Sequence, residues 1–147
     1  MRSLYNVGAF FRTADAVGVS RLYVSGFTGS PPSRQIAKTA LGSEQSVAWE
    51  RVDPLAIIDA RHAAGWQTAA IETVDDAVDP SDWQPNFPLL VVFGHEVEGL
   101  PAEIVARCGA RVRIPMVGVK RSLNVATAGG VVMYELFRKS RVPRAVV

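Results

Sequence analysis

Apolar positions recur along this chain in two alternating rhythms. In residues 7–18, VGAFFRTADAVG, Phe10, Ala14 and Val17 share a face at helical spacing, with Phe11 beside them and Gly18 as a stop. Residues 21–26, RLYVSG, read as a strand, and 28–34, TGSPPSR, as a loop rich in Gly, Pro and Ser. Residues 36–44 are either a short helix or a turn. VAWERV (47–52) has strand alternation, with Val47, Trp49 and Arg51 on one side. Pro54 opens a helix to about Ala64, since proline is tolerated in a first turn, and Gly65 ends it. WQTAAIE (66–72) is a strand. Residues 75–88 hold three prolines and four aspartates and read as a surface loop. PLLVVFG (88–94) is a continuous apolar run, the pattern of a buried parallel strand. A short helix over 101–107, a strand over 110–116 and a helix from Asn124 to about Ser140 follow.

Strands alternating with helices predict an α/β fold, with a parallel sheet covered by helices on both faces. The length of 147 residues suits a single domain over 1–147 with a core of its own. No internal repeat or linker divides it. Two glycines, Gly129 and Gly130, interrupt the last helix, each at about 1 kcal/mol against alanine, so something is expected to pack very close there.

Composition narrows the picture. Apolar content of 48% and charged content of 20% are those of a globular soluble protein. There is no apolar run long enough for a membrane span and no secretory pattern at the N-terminus. The single Cys108 excludes an internal disulfide and a multi-cysteine metal site, and His62 and His95 lie far apart, so no metal is expected and the cytoplasm is the expected compartment. The net charge of +2 conceals an uneven distribution. Residues 1–43 carry five bases against Asp15, residues 44–104 twelve acids against Arg51 and Arg61, and residues 105–147 nine bases against Glu135. Ends that meet in space would form a basic face suited to a polyanion.

Candidate chemistry sits in three segments. The first is Asn6-Val-Gly8 with Arg12-Thr-Ala-Asp-Ala-Val-Gly18; the second runs from Val91 through Gly94-His-Glu96-Val-Glu-Gly99 to Pro101. The third is Ile114-Pro115-Met116 followed by Ser122-Leu123-Asn124 and on to Ala128. In this order they resemble the three motifs of the SpoU (TrmH) family of RNA ribose methyltransferases in the SPOUT superfamily. The resemblance implies a C-terminal deep trefoil knot, S-adenosylmethionine bound among the knot loops, a homodimer with the site at or near the subunit interface, and methyl transfer to the 2′-hydroxyl of a tRNA or rRNA nucleotide.

The same resemblance assigns residues. Phe93, Gly94, Glu96, Gly99, Ile114, Pro115, Met116, Ser122 and Leu123 would hold the cofactor, with apolar walls and a few fixed polar groups. Asn6, Arg12, Glu96, Ser122 and Asn124 would serve catalysis. Arg12 either activates the hydroxyl or clamps phosphate; a guanidinium stays protonated in proteins, which favours the clamp or stabilisation of a developing alkoxide. Asn6 either orients Arg12 or substrate, or caps the first helix. Glu96 would hold Arg12 or a loop amide. Ser122 and Asn124 would cap the last helix or reach substrate. Arg12, Arg34, Lys38, Lys120 and Arg121 are the candidate RNA contacts. His95, Cys108 and His62 are expected to be structural, and Trp49, Trp66 and Trp83 to belong to core or interface.

The pattern departs from the family at three points. Relatives carry a short apolar strand just before motif one, where Met1 stands, so either the start lies upstream or another element fills that place. Relatives carry bulkier residues at the Gly129-Gly130 pair. The separate N-terminal RNA-binding domain of larger members is not expected from these 147 residues, which would leave dimer surfaces and basic termini to hold substrate. Two other functions fit the same frame: a catalytically silent RNA-binding or ribosome-assembly module, and a SPOUT enzyme that methylates a base. The intact motif residues argue against the first, and Ser122-Leu123-Asn124 against the second.

Overall fold

The computed structural model describes residues 1–141. Helix α1 (Leu4–Val17) opens the chain; Ser3 Oγ accepts from Asn6 N at 3.4 Å, and Gly18, at φ 72°, turns the chain away at its end. The cap is therefore Ser3, and Asn6 lies inside the first turn with its side chain free for other work.

Strand β1 (Leu22–Val24) pairs in parallel with β2 (Trp49–Arg51), with α2 (Arg34–Ala40) and the single turn α3 (Ser43–Ser46) between them in sequence. The ambiguous stretch after residue 34 is thus two short helices, broken at Leu41 and Gly42, which both take positive φ. Helix α4 (Pro54–Ala63) begins at its proline, capped by Asp53 Oδ1 from Ala56 N at 2.9 Å. Strands β3 (Gln67–Ile71), β4 (Leu89–Phe93) and β5 (Ala110–Val112) form a second parallel sheet in the order β4-β3-β5, with α5 (Ala102–Arg107) leading into β5 and α6 (Val125–Arg141) closing the described chain.

Three expectations need correction. The sheet is not single: β1–β2 and β4–β3–β5 are separate, and a cavity of about 1020 Å³ is bordered by Leu22, Tyr23 and Val24 on one side and by all of β4 on the other. For the same reason β4 is not fully buried. It has a neighbour on one edge alone, and each of its five residues remains partly exposed. The last strand also stops at Val112, and residues 113–124 run without regular structure into α6.

Close helix packing holds the N-terminal half to α6. Phe11 and Ile36 are fully buried in one cluster with Val7, Phe10, Val125 and Met133. A Cβ on Gly8 would overlap Thr39 Oγ1 and the Ile36 carbonyl, so this motif-one glycine is what lets α1 and α2 cross. A Cβ on Gly129 would lie 2.5 Å from Phe10 Cζ, whereas Gly130 faces open space. The close neighbour anticipated for the glycine pair is thus the Phe10 ring of α1, and it meets Gly129 alone. Trp83 is buried against Ala69 and Val112, and Lys139 on α6 donates to the carbonyls of Pro80, Ser81 and Trp83, pinning that loop.

Candidate functional site

The register brings three chain exits to one edge. Ile71 lies opposite both Phe93 and Val112, so β3, β4 and β5 end side by side and their following loops leave together. The carboxyl ends of parallel strands are where open α/β sheets bind ligands. Here the loops enclose an open cleft of about 230 Å³. The end of β4 contributes Phe93 and the loop after it Gly94, Glu96 and Gly99; the loop after β5 contributes Ile114, Met116, Ser122 and Leu123. Eight of the nine residues expected around a cofactor therefore line one cleft, and Pro115 does not.

The motif-two turn is shaped by its glycines. Gly99 takes φ 69°, and His95 and Gly99 exchange backbone hydrogen bonds at 2.9 and 3.0 Å. A Cβ on Gly94 would sit 2.6 Å from Leu100 N, so the turn folds back on itself only because residue 94 has no side chain. His95 Nδ1 accepts from Val97 N and Glu98 N, each at 3.2 Å, which gives His95 the structural part expected for it.

Glu96 is the hub. Its carboxylate accepts from Arg2 N (2.9 Å), Ser3 N (3.3 Å) and Asn6 Nδ2 (3.0 Å). Burial on its own raises the carboxyl pKa, but the amide of Arg2, the side chain of Asn6 and the amides of Glu96 and Ser3 outweigh it and bring the value down to about 2. Asn6 Oδ1 in turn accepts from Asn124 Nδ2 at 3.3 Å, and Asn124 Oδ1 accepts from Ala126 N (2.9 Å) and Thr127 N (3.4 Å). One residue of each motif is thereby joined in a continuous chain. Asn124 thus caps α6, one of the two uses weighed for it, and its amide nitrogen is spent on Asn6 of motif one. Of the partners considered for Glu96, it takes loop and helix amides rather than the guanidinium of Arg12.

Arg12 is exposed on α1 and is not among the residues lining the cleft. Six residues beyond Asn6, it projects roughly 240° further round the helix. Arg34 and Lys38 are exposed on α2, and Lys120 and Arg121 on the loop before α6. Among the described residues, none of these five bases takes part in an ion pair, whereas Arg21, Arg107, Arg111 and Arg138 each do. Arg121 and Arg113 also line the cleft. Of the residues expected to be structural, Cys108 is buried in the core with its thiol pKa pushed up by burial, and Trp83 is buried, whereas Trp49 and Trp66 are half-buried and His62 is exposed.

Sequence reasoning missed Glu72. It follows β3 directly and lines the cleft; the available signal was an acid at the end of an apolar strand. Among the described residues no group of His, Cys, Asp and Glu could hold a metal ion, and no helix is long and apolar enough to cross a membrane.

Comparison with known proteins places this geometry. A Staphylococcus haemolyticus protein assigned to the TrmH family of tRNA/rRNA methyltransferases is 35% identical over 136 residues, covering 92% of this chain and 54% of its own length. The chain thus spans about half the length of the curated relatives it matches. The structure of an S-adenosylmethionine-bound rRNA methyltransferase from Sinorhizobium meliloti superposes with a TM-score of 0.86 at 32% identity, over 95% of this chain and 53% of that one. An RNA 2′-O ribose methyltransferase superposes with a TM-score of 0.87 at 26% identity, over 97% of this chain and 54% of that one. Residues 1–134 match the family described as SpoU rRNA methylase, and the chain belongs to that family.

Proposed function

We propose that this chain is the methyltransferase domain of an enzyme that moves a methyl group from S-adenosylmethionine to the ribose 2′-hydroxyl of a tRNA or rRNA nucleotide. The observation that carries the reading is the hydrogen-bond chain Glu96–Asn6–Asn124, which ties motif one to the motif-two and motif-three loops that line the cleft. The cleft suits the donor. Ile114, Met116 and Leu123 offer apolar walls for an adenine, while Arg113 and Arg121 offer charge to a carboxylate. S-adenosylmethionine bound there supplies a methyl already activated by its sulfonium, without need of a metal.

The chain's own residues do the rest. The Phe93–Gly94 and Ile114–Met116 segments hold and orient the donor, Pro115 by shaping its loop. Ser122 lies on the cleft, where its hydroxyl can accept from or donate to substrate. Asn6 and Glu96 keep α1 against motif two, and Asn124 fixes the start of α6. Arg12 neutralises phosphate or a developing alkoxide, since its guanidinium is a poor base. Its place outside the cleft favours a homodimer in which Arg12 of the partner subunit completes the site. Exposed apolar groups at Val117 and Val119 on the loop, and at Val131 and Tyr134 on α6, are surface such a dimer would cover. Arg34, Lys38 and Lys120, which no ion pair engages among the described residues, then meet RNA phosphates, while Arg121 serves the donor from the cleft. A deep trefoil knot formed by the irregular stretch 113–124 and α6, a single domain architecture and a cytoplasmic location belong to the same reading.

Calorimetry with S-adenosylmethionine tests its first step: heat of binding is expected, and none at millimolar ligand would overturn it. Mapping of 2′-O-methyl sites in RNA from cells with and without the gene tests the second. Loss of a ribose methyl is expected; loss of a base methyl would favour the base-methylating alternative.

A further inference from the structure

The residue that follows β3 directly, where the strand leaves the sheet, is an acid. Glu72 N donates to Val112 O at 3.1 Å, so β3–β5 pairing runs on to it, and its side chain enters the space between the loops that follow β4 and β5. One carboxylate oxygen accepts from Leu100 N at 2.7 Å and the other from Thr73 N at 2.9 Å. A Cβ on Gly99 would overlap the first oxygen, so the positive-φ glycine of motif two makes room for this carboxylate. Among the described residues Glu72 has no cationic partner in an ion pair.

A carboxylate has about four acceptor sites, and two are used here. A partly buried carboxylate with spare acceptors and no counter-ion is poised for neutral donors. The S-adenosylmethionine molecule has two such donors on adjacent carbons, the ribose 2′- and 3′-hydroxyls. An acid at the end of a parallel strand serves the same purpose in dinucleotide sites. The donor's ammonium is the competing partner. Arg113 and Arg121, which line the same cleft from the loop after β5, favour its neighbouring carboxylate and so draw that end toward themselves.

We infer that Glu72 recognises the ribose diol of the methyl donor, an assignment that rests on the function proposed above. It makes motif two and the donor ribose share one carboxylate, so the Gly99–Leu100 turn is set by the same group that reads the sugar.

Calorimetry separates the possibilities. The unmutated protein and Glu72→Gln are titrated with S-adenosylhomocysteine, with its 2′-deoxy and 3′-deoxy analogues, and with methylthioadenosine, which keeps the diol and lacks the ammonium. The unmutated protein is expected to bind the parent compound about ten-fold or more tighter than at least one deoxy analogue, as for a charge-assisted hydrogen bond. Glu72→Gln is expected to lose that preference, to weaken methylthioadenosine by a similar factor, and to keep the melting temperature. Equal weakening of parent and deoxy compounds would reduce Glu72 to a support for the turn and overturn the inference. An effect on S-adenosylhomocysteine with none on methylthioadenosine would reassign the carboxylate to the ammonium and also overturn it. If the unmutated protein binds none of the four ligands, the proposed function itself fails, an outcome distinct from both.

Discussion

Asn6 Nδ2 donates to Glu96 Oε1 at 3.0 Å, joining the first turn of α1 to the glycine turn after β4. The bond is charge-assisted and partly shielded from water, and Glu96 holds two backbone amides of the residues before α1 at the same time. Most of the site's geometry follows from this one carboxylate, and the first prediction concerns its ionisation.

Glu96 titrates at about 2 in the folded protein against an ordinary value of 4.5. A carboxyl whose folded pKa lies below its unfolded one stabilises the fold fully above the unfolded value and loses that contribution as pH falls toward the folded one. Stability is therefore expected to decline between pH 4.5 and about 2. Glu96→Gln should cost about 1–3 kcal/mol at neutral pH and flatten that decline. Urea unfolding across this range, on both proteins, checks it; an identical acid limb in the variant would exclude the assignment.

Arg12→Ala should leave S-adenosylmethionine affinity unchanged, because residue 12 lies outside the cleft. Methyl transfer to RNA should fall by at least ~100-fold, the usual loss when a group facing developing charge is removed. Calorimetry and transfer of labelled methyl, run in parallel, give the two readings. Normal turnover would remove Arg12 from the reaction.

The two adjacent glycines of α6 should respond with opposite signs. Gly129→Ala forces a methyl to within 2.5 Å of the Phe10 ring and is expected to destabilise by about 1–3 kcal/mol. Gly130→Ala meets open space and is expected to gain up to about 1 kcal/mol of helix propensity. Thermal unfolding of both variants decides, and equal shifts would contradict the packing at Phe10.

Arg34→Ala combined with Lys38→Ala removes two exposed bases that no ion pair engages among the described residues. RNA affinity should weaken across all sequences, with the slope of log affinity against log salt falling by roughly 2. Filter binding over a salt series measures it. An unchanged slope would place the RNA elsewhere.

How far the chain speaks for itself depends on the distance over which each decision is made. Helices and strands are legible where the pattern is local: Phe10, Ala14 and Val17 mark α1, and Pro54 marks the start of α4. Motif two is legible because Gly94, Gly99 and their polar neighbours are held at fixed spacing by one turn. What escapes is decided between segments. Nothing near Asn6 names Glu96 as its partner, and nothing near Gly129 names Phe10. The half-open state of β4 depends on which strand lies beside it, which no apolar run records. Glu72 is hidden for the same reason, since its meaning comes from Gly99 and Leu100, on another strand's loop.

Residue 124 answers two demands of opposite polarity. The helix behind it asks for an acceptor, at Ala126 N and Thr127 N, and Asn6 in front asks for a donor. Aspartate would serve the helix equally well but would turn a lone pair toward the oxygen of Asn6. Only a carboxamide satisfies both sides, and the direction in which it points is inherited link by link from the anion at residue 96, which can do nothing but accept.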